Sequence, residues 1–147
     1  MAKVLLLGIS SLKGGSIKEM KSVDAIKGKG LLNDRKMREN NDKKCQLTLI
    51  EIENINYYNK VSNASIPPLN FRRNIITEGI KLNELLGKEF LIGEVKLKAH
   101  DLCRPCKYLQ ERLKQKNFIK ELLLKGGIRC EILNSGIINT GYKITNE

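Results

Sequence analysis

Apolar residues in this chain occur in many short segments separated by glycine and proline. Short apolar runs of about four to eight residues, bounded by turn residues, are typical of β-strands. A glycine between two of them, as at Gly93, indicates a bulge or a corner in a sheet. The chain is therefore expected to be mainly β with two or three helices (α+β) and to form a small closed β-barrel. The expected strands are residues 3–10, which end in a turn over 13–16, and residues 19–26, 46–50, 90–93, 95–99, 128–133 and 142–145.

Apolar residues recur at helical spacing in two regions. Intervals of three predict a short helix over residues 51–60, and a longer helix is expected over about residues 108–125. Residues 83–87 resemble a single helical turn with a glycine at its end. The long helix is expected to place one apolar stripe in the core rather than against a cofactor: Leu109, Leu113, Ile119, Leu122 and Leu123.

The length and composition fit one globular domain, expected to span residues 1–147 as a stand-alone unit. Hydrophobic residues make up 41% of the chain, enough to bury a core. No apolar stretch has the length of a membrane-spanning helix, and the apolar run at residues 4–9 is too short for a signal peptide. The protein is therefore expected to be cytoplasmic. Its four cysteines do not indicate a disulfide scaffold.

The formal net charge of +11 favours an anionic partner, such as a phosphorylated cofactor or nucleic acid. Aromatic residues are only 5% of the chain and tryptophan is absent, so no stacking platform for single strands is evident. Lysine, isoleucine and asparagine are all abundant, as in a coding sequence rich in A and T, and many lysines are then expected on solvated faces. Nucleic-acid binding is the alternative function, but nucleic acid is not the expected partner.

Two cysteines, Cys103 and Cys106, flank Arg104 and Pro105 directly after a strand-like stretch. Thiolates bind soft metals and attack sulfur, and nearby positive charge favours the thiolate. The pair is compatible with a soft-metal site, a redox or sulfur-transfer site, or simple packing. Structural zinc needs four ligands and is not expected, because no second Cys-x-x-Cys exists. The residues left to complete such a site would be Cys45 and Cys130, otherwise expected in the core, and His100, an ordinary polar residue or a base near the cysteines.

Several motifs occur along the chain in a fixed order. They are Gly-Lys-Gly-Leu-Leu-Asn-Asp-Arg at residues 28–35, Gln-Leu-Thr-Leu-Ile at 46–50, Arg-Arg-Asn-Ile-Ile-Thr-Glu-Gly at 72–79, Leu-Gly-Lys-Glu-Phe-Leu-Ile-Gly at 86–93, and then the cysteine motif. Together they resemble the MOSC domain, named for the carboxy-terminal part of molybdenum-cofactor sulfurase. The resemblance covers residues 28–142. It departs from the family pattern at Asn33, where glycine is usual, at Tyr142, where aspartate is usual, and at Lys36, where many relatives carry histidine.

The resemblance implies a strand-rich barrel and a function linked to the molybdenum cofactor (molybdopterin). Family members bind this cofactor, carry sulfur as a cysteine persulfide, or reduce N-hydroxylated compounds. Cys106 matches the family cysteine, so it is implied as the molybdenum ligand or persulfide carrier. Cys103 is either a resolving thiol that releases sulfur or a packed residue.

Two kinds of protein partner follow from the same resemblance. A sulfur carrier would receive sulfur from a cysteine desulfurase that uses pyridoxal phosphate. A reductase would need an electron-transfer protein, because the chain shows no flavin, haem or iron–sulfur motif.

The arginine motif is implied to hold the anionic part of the cofactor. Guanidinium groups bind phosphate through paired hydrogen bonds. Neighbouring residues of a strand face opposite ways, so Arg72 and Arg73 are not expected to point in the same direction. Asp34 and Arg35 are expected to orient the site loop or to pair with each other. The implied cofactor-binding residues are Arg72, Arg73, Asn74, Asp34, Arg35 and Thr77.

Overall fold

The computed structural model describes residues 1–12 and 14–146, and strands predominate in them. The described residues also form three α-helices, α1 (Ile52–Val61), α2 (Lys107–Arg112) and α3 (Phe118–Glu121), and two short 3-10 helices. The expectation of a mainly β, α+β chain with a few helices is confirmed. The strands are β1 (Lys3–Ile9), β2 (Lys18–Met20), β3 (Ser22–Ile26), β4 (Gly30–Leu31), β5 (Leu47–Glu51), β6 (Ile75–Glu78), β7 (Glu89–Ile92), β8 (Val95–Leu102), β9 (Ile128–Ile132), β10 (Gly136–Asn139) and β11 (Ile144–Thr145).

Eight strands form one sheet in the order β11-β7-β8-β9-β5-β6-β1-β2, and three form a second sheet in the order β10-β3-β4. Only β5 and β6 pair in parallel among these neighbours. Parallel neighbours need a crossover connection, and α1 lies in that connection. The residues that precede β5 and those that precede β6 therefore lie side by side, which brings two distant parts of the sequence to one place.

The prediction of a closed barrel is wrong in its degree of closure. The large sheet is an open half-barrel that runs from β11 to β2, and β3, β4 and β10 pair separately. An isolated bridge between Lys3 and Lys143 links the start of β1 to the chain just before β11. The strand pattern predicts strands but not their partners, so it could not show that three of them leave the main sheet.

Both faces of the sheet centre are covered. All five residues of β5 are buried, as expected for a strand with packing on each side. One apolar cluster lies on one face of the sheet and includes Leu49, Phe90 and Leu97. The other contains Ile50 and packs the helices onto the outer side of β5 and β6. Its centre is three aromatic rings with centroids 5.3–6.0 Å apart, those of Tyr58, Phe71 and Phe118.

The single long helix expected over residues 108–125 is also wrong, because the structure has two short helices there. The chain turns at Lys114, whose φ is +56°. Gln115 then accepts a hydrogen bond of 2.7 Å from the Tyr58 hydroxyl, which ties the break to α1. Leu109 and Leu122 are buried as expected, whereas Leu123 is 58% exposed. Two short helices on one core share the apolar spacing of a single helix, so periodicity could not separate them.

The sequence also led to expectations for one helix and two turns. The helix expected over residues 51–60 is confirmed as α1. The glycine corner at Gly93 is a two-residue hairpin turn between β7 and β8 rather than a bulge. The turn expected over residues 13–16 includes Lys13, which lies outside the described residues.

The helices found in the described residues are too short and too polar to cross a membrane.

Gly127 is a position where the fold requires glycine. Its φ is +98°, and an added Cβ would overlap the Leu49 carbonyl oxygen. Gly127→Ala is expected to lower the free energy of unfolding by about 2–5 kcal/mol, because left-handed strain and overpacking act together. Urea unfolding followed by circular dichroism measures the change. Gly141→Ala is the matched control.

Gly141 has a similar φ of +90°, but an added Cβ there meets nothing within 4 Å. Its replacement is expected to cost only the backbone strain, about 1–2 kcal/mol. Equal losses from the two alanine variants would show that the close approach to Leu49 is unimportant.

Candidate functional site

The cysteine loop leaves the sheet at the end of β8. The backbone N–H of Cys103 donates to the Gly127 carbonyl at 2.8 Å, so the loop is fixed to the residue just before β9. An added Cβ at Gly126 would approach the Cys103 carbonyl oxygen to 2.5 Å. Gly126 therefore allows the backbone before β9 to lie directly against the cysteine loop.

The two thiols of the loop have different environments. Cys103 is only 6% exposed, and burial raises the pKa of its thiol, although Arg73, Arg129 and Lys36 act in the opposite direction. Cys106 is exposed and precedes α2, where its Sγ accepts a hydrogen bond of 3.4 Å from the Leu109 backbone N–H. Accessible thiols react and buried ones do not. Cys106 is therefore the thiol of this loop that can meet a ligand.

Arg72 has a donor with no acceptor. Its backbone is left-handed (φ +64°), and its Nη1 donates to the Gly15 carbonyl at 2.6 Å. Its Nη2 is buried and has no hydrogen-bond partner in the described structure. Burial and the charges of Arg35 and Arg112 lower the pKa of Arg72. A buried, unpaired guanidinium donor is costly, and an anion placed against it would remove that cost.

Arg73 points to the other side of the chain from Arg72. Its Nε donates to the Gly126 carbonyl at 2.9 Å, next to the cysteine loop, and its Nη1 donates to the Phe71 carbonyl at 3.3 Å. The opposite directions expected from the sequence are observed. Arg72 therefore faces the Gly14–Gly15 segment, and Arg73 faces the loop that carries Cys103.

Arg112 and Tyr108 of α2 extend the group around Arg72. Arg112 Nη1 donates to the Gly14 carbonyl at 2.8 Å and to the Tyr108 hydroxyl at 2.9 Å. Tyr108 follows Cys106 by two residues, so these side chains lie on the helix that the exposed thiol begins. The sequence did not single them out, since their charge becomes relevant only when α2 packs beside Gly14.

Asn74 binds backbone rather than facing the site. Its Nδ2 donates to the Gly8 carbonyl at 3.1 Å, and its Oδ1 accepts from the Thr48 backbone N–H at 3.2 Å and from the Thr48 hydroxyl at 3.3 Å. It is 6% exposed. The side chain links β1, β5 and the start of β6, and it therefore positions the two arginines that precede it.

Asp34 likewise organises a loop. One carboxylate oxygen accepts from the Ser10 backbone N–H at 3.0 Å, and the other accepts from the Lys36 backbone N–H at 3.4 Å. Arg35 is anchored through its own backbone N–H, which donates to the Ser10 carbonyl at 2.7 Å. Among the described residues no ion pair joins Asp34 to Arg35, so of the two expected roles the structure favours loop orientation.

Other residues of interest lie away from the exposed thiol. Thr77 is fully buried in β6, where its hydroxyl donates to the Ile50 carbonyl at 3.5 Å, so the structure does not bring it to the site surface. His100 pairs with Glu131, with 2.8 Å between Nε2 and Oε1. Cys130 is buried as expected, and burial raises the pKa of its thiol well above the ordinary value. The described residues contain no cluster of three or more His, Cys, Asp or Glu side chains placed to hold a metal ion.

Cys45 is not a fully buried core residue, contrary to expectation. It is partly exposed, and its Sγ accepts a hydrogen bond of 3.2 Å from Arg129 Nη2. Arg129 was not singled out from the sequence. A usable signal was present, because β9 alternates between buried and outward-facing residues and Arg129 is one of the outward-facing ones.

The family model of the MOSC domain matches residues 30–145, most of the chain. The chain belongs to the MOSC domain family. Among solved structures, YuaD from Bacillus subtilis has a TM-score of 0.81 and 20% identity, covering 98% of this chain and 94% of that one. YiiM from Geobacillus stearothermophilus has a TM-score of 0.76 and 12% identity, over 99% of this chain and 74% of that one. YiiM from Escherichia coli has a TM-score of 0.71 and 14% identity, over 99% and 70%. The TM-scores show a common fold, and at these low identities they show the fold alone.

No curated protein is similar enough to the chain to count as a match. The family assignment therefore depends on the MOSC match and the shared fold rather than on a near relative. The resemblance expected from the motifs at residues 28–35, 72–79 and 86–93 is confirmed.

The contrast between the two thiols of the loop makes a direct prediction. Iodoacetamide is expected to label Cys106 well before Cys103 at neutral pH, because Cys103 is buried and its raised pKa keeps it protonated. Each pKa unit above the ordinary value lowers the thiolate fraction about tenfold. Labelling of Cys103 should therefore rise only as the pH is raised above the usual thiol range. Mass spectrometry of tryptic peptides over a pH series measures both sites.

The Cys106→Ser variant is the control for the labelling experiment, since it leaves Cys103 as the only thiol of the cysteine loop. Labelling of Cys103 in that variant at the rate of wild-type Cys106 would contradict the burial of Cys103.

Proposed function

We propose that this MOSC protein binds the molybdenum cofactor through the Cys106 thiolate and acts as a reductase of N-hydroxylated compounds, with electrons supplied by a separate protein. The observation that carries the proposal is one exposed thiol at the start of α2, the helix whose Arg112 lies near Arg72, together with the buried Arg72 donor that has no partner in the described structure. A soft thiolate is a suitable ligand for molybdenum. When bound, the cofactor would supply the redox chemistry, and the protein would supply a ligand, an anion site and positioning.

The residues present fit the cofactor's donor requirements. Arg72 Nη2 is a buried donor without an acceptor, and a phosphate oxygen of the cofactor would provide one. Arg112 is held next to Arg72 by the Gly14 carbonyl and adds a second positive charge. We therefore assign the anionic end of the cofactor to Arg72 and its metal end to Cys106.

The buried state of Cys103 favours a permanent ligand over a two-cysteine sulfur carrier. A resolving thiol must attack as the thiolate, and the burial of Cys103 works against that form. Cys106 alone is exposed enough to carry a persulfide, so a sulfur or cofactor carrier supplied by a cysteine desulfurase is the second candidate function.

Replacement of Cys106 tests the ligand assignment. Cys106→Ser is expected to lose molybdenum while keeping the fold, because a serine hydroxyl stays protonated and binds soft metals poorly. Cys103→Ala, the matched control within the same loop, is expected to retain molybdenum. Elemental analysis of both proteins, purified from a host that makes the cofactor, measures the difference. Full molybdenum content in the serine variant would refute the assignment.

The Cys103→Ala variant also tests the second candidate function, that of a sulfur carrier. If Cys103→Ala blocks sulfide release after incubation with a persulfide donor but keeps metal binding, the carrier is supported and the reductase proposal is weakened. Full reductase activity of that variant with an artificial electron donor would exclude a resolving role for Cys103.

Replacement of Arg72 tests the anion assignment. Arg72→Ala is expected to weaken cofactor retention by about 1.5–3 kcal/mol, the range for a hydrogen bond to a charged group. Competition for the cofactor against the wild-type protein measures this. The double variant Lys114→Gln and Lys116→Gln removes two positive charges from the segment between α2 and α3 and should change retention little. Equal losses in both proteins would indicate a diffuse electrostatic effect rather than a defined site.

A further inference from the structure

A cationic cavity lies between the segment that follows β4 and Arg129 of β9, which pairs with the end of β8. Its volume is about 280 Å³, close to the lower end of ligand pockets, about 300 Å³. All charged residues that line it are positive. They are Lys36, Arg38, Lys44 and Arg129, and uncharged lining includes Cys45 and Thr48.

Arg129 and Arg38 are held in place by neutral acceptors, so their charges are not cancelled by direct contact. Arg129 Nε donates to the Lys44 carbonyl at 2.8 Å, and its Nη2 donates to Cys45 Sγ at 3.2 Å. Arg38 Nη1 donates to the carbonyls of Arg35 and Met37 at 2.7 and 2.9 Å. Guanidinium groups fixed in this way are preorganised for an anion, because little side-chain freedom is left to lose on binding.

Three carboxylates contact residues that line the cavity, fewer than its four cations. Asp34 accepts from the Lys36 backbone N–H at 3.4 Å, and Asp42 accepts from the Lys44 backbone N–H at 2.7 Å. Asp101 lies 4.0 Å from Lys44 Nζ and 3.5 Å from an Arg104 nitrogen, so one carboxylate is shared by two cations. Lys36, Arg38 and Arg129 take part in no ion pair among the described residues. Partial burial of the ammonium and the charges of Arg35 and Arg73 lower the pKa of Lys36. A bound anion would offset this repulsion.

The cavity adjoins the cysteine loop. Arg129, which lines the cavity, lies opposite Asp101 in the pairing of β8 with β9, two residues before Cys103. The positive charges of Arg129 and Lys36 also act on the Cys103 thiol. An anionic group in this cavity would therefore be held next to the end of β8, from which the loop with the exposed thiol continues. Arg72 contacts Gly15, and its unpaired donor belongs to the other cationic group.

We infer that the cavity of Lys36, Arg38, Lys44 and Arg129 binds a phosphate-type oxyanion carried by the substrate, which makes anionic small molecules the substrate class of this protein. The inference that this oxyanion belongs to a substrate rests on the proposed function of Cys106. The same chemistry has a second source, the phosphate of the cofactor itself, and the experiment below separates the two.

The first arm measures binding of inorganic phosphate to metal-free protein by isothermal titration calorimetry. The double variant Lys36→Gln and Lys44→Gln should weaken phosphate affinity at least about tenfold, the effect of losing a charged hydrogen bond. The matched control, Lys114→Gln with Lys116→Gln, removes the same charge elsewhere and should change affinity less than about twofold. Absence of phosphate binding in the wild type, or equal weakening in both variants, would overturn the site.

A single variant, Arg129→Gln, keeps this arm decisive if the double variant unfolds. Circular dichroism establishes folding, and the same tenfold loss of affinity is expected. Unchanged phosphate affinity in a folded Arg129→Gln protein would also overturn the site.

The second arm identifies the source of the oxyanion. Molybdenum content of the Lys36→Gln and Lys44→Gln protein should equal that of the wild type, while KM should rise for a phosphorylated N-hydroxylated substrate and not for a neutral one. Loss of molybdenum in this variant would assign the cavity to the cofactor phosphate and overturn the substrate assignment. Wild-type protein that binds phosphate but takes up no molybdenum would refute the proposed function while leaving the oxyanion site in place.

Discussion

The buried side chain of Asn74 is the interaction on which the site geometry depends. It joins β1 through Gly8 and β5 through both polar groups of Thr48, just before β6 begins. A buried amide with partners on two strands fixes their position relative to the start of a third, whereas a missing partner would leave a costly unsatisfied group. Because Arg72 and Arg73 directly precede Asn74, this network also fixes the backbone from which the two arginine side chains extend.

Positive charge is concentrated around the cysteine loop in two separate groups. Arg72 and Arg112 meet at the Gly14–Gly15 segment, and Arg129 and Lys36 lie on the side of Cys103. The loop itself is held by a single backbone hydrogen bond to Gly127 and by the close approach of Gly126. This arrangement places one exposed thiol between two anion-attracting regions, which suits a ligand that is anionic at more than one point.

Local patterns predicted the parts of the fold that depend on neighbouring residues. The strands around residues 47–51, 95–102 and 128–132 and the helix after β5 follow from apolar spacing, and the structure contains them. Closure of the barrel and the length of the last helix depend on which distant segments pair, and periodicity carries no information on pairing. The separate β10-β3-β4 sheet and the Tyr58–Gln115 hydrogen bond at Lys114 are examples.

The site was predictable where a motif is continuous in sequence. Cys106 and the pair Arg72–Arg73 were predicted in this way; the structure exposes Cys106 and turns Arg73 towards Gly126 beside the cysteine loop, and their role stays a prediction. Arg129 was missed, and Lys36 was noted only as a departure from the family pattern, because each is an ordinary basic residue until β9 and the loop after β4 meet. Thr77 was included through its place in a motif, although the strand buries it completely.

The central claim is that Cys106 supplies the sulfur that binds molybdenum. X-ray absorption at the molybdenum edge tests it directly, because the number of sulfur neighbours can be compared between wild type, Cys106→Ser and Cys103→Ala. The account predicts that the serine variant loses one sulfur neighbour or the metal itself, whereas the alanine variant matches the wild type. An unchanged sulfur shell in Cys106→Ser, or wild-type protein without molybdenum when made in a host that supplies the cofactor, would contradict it.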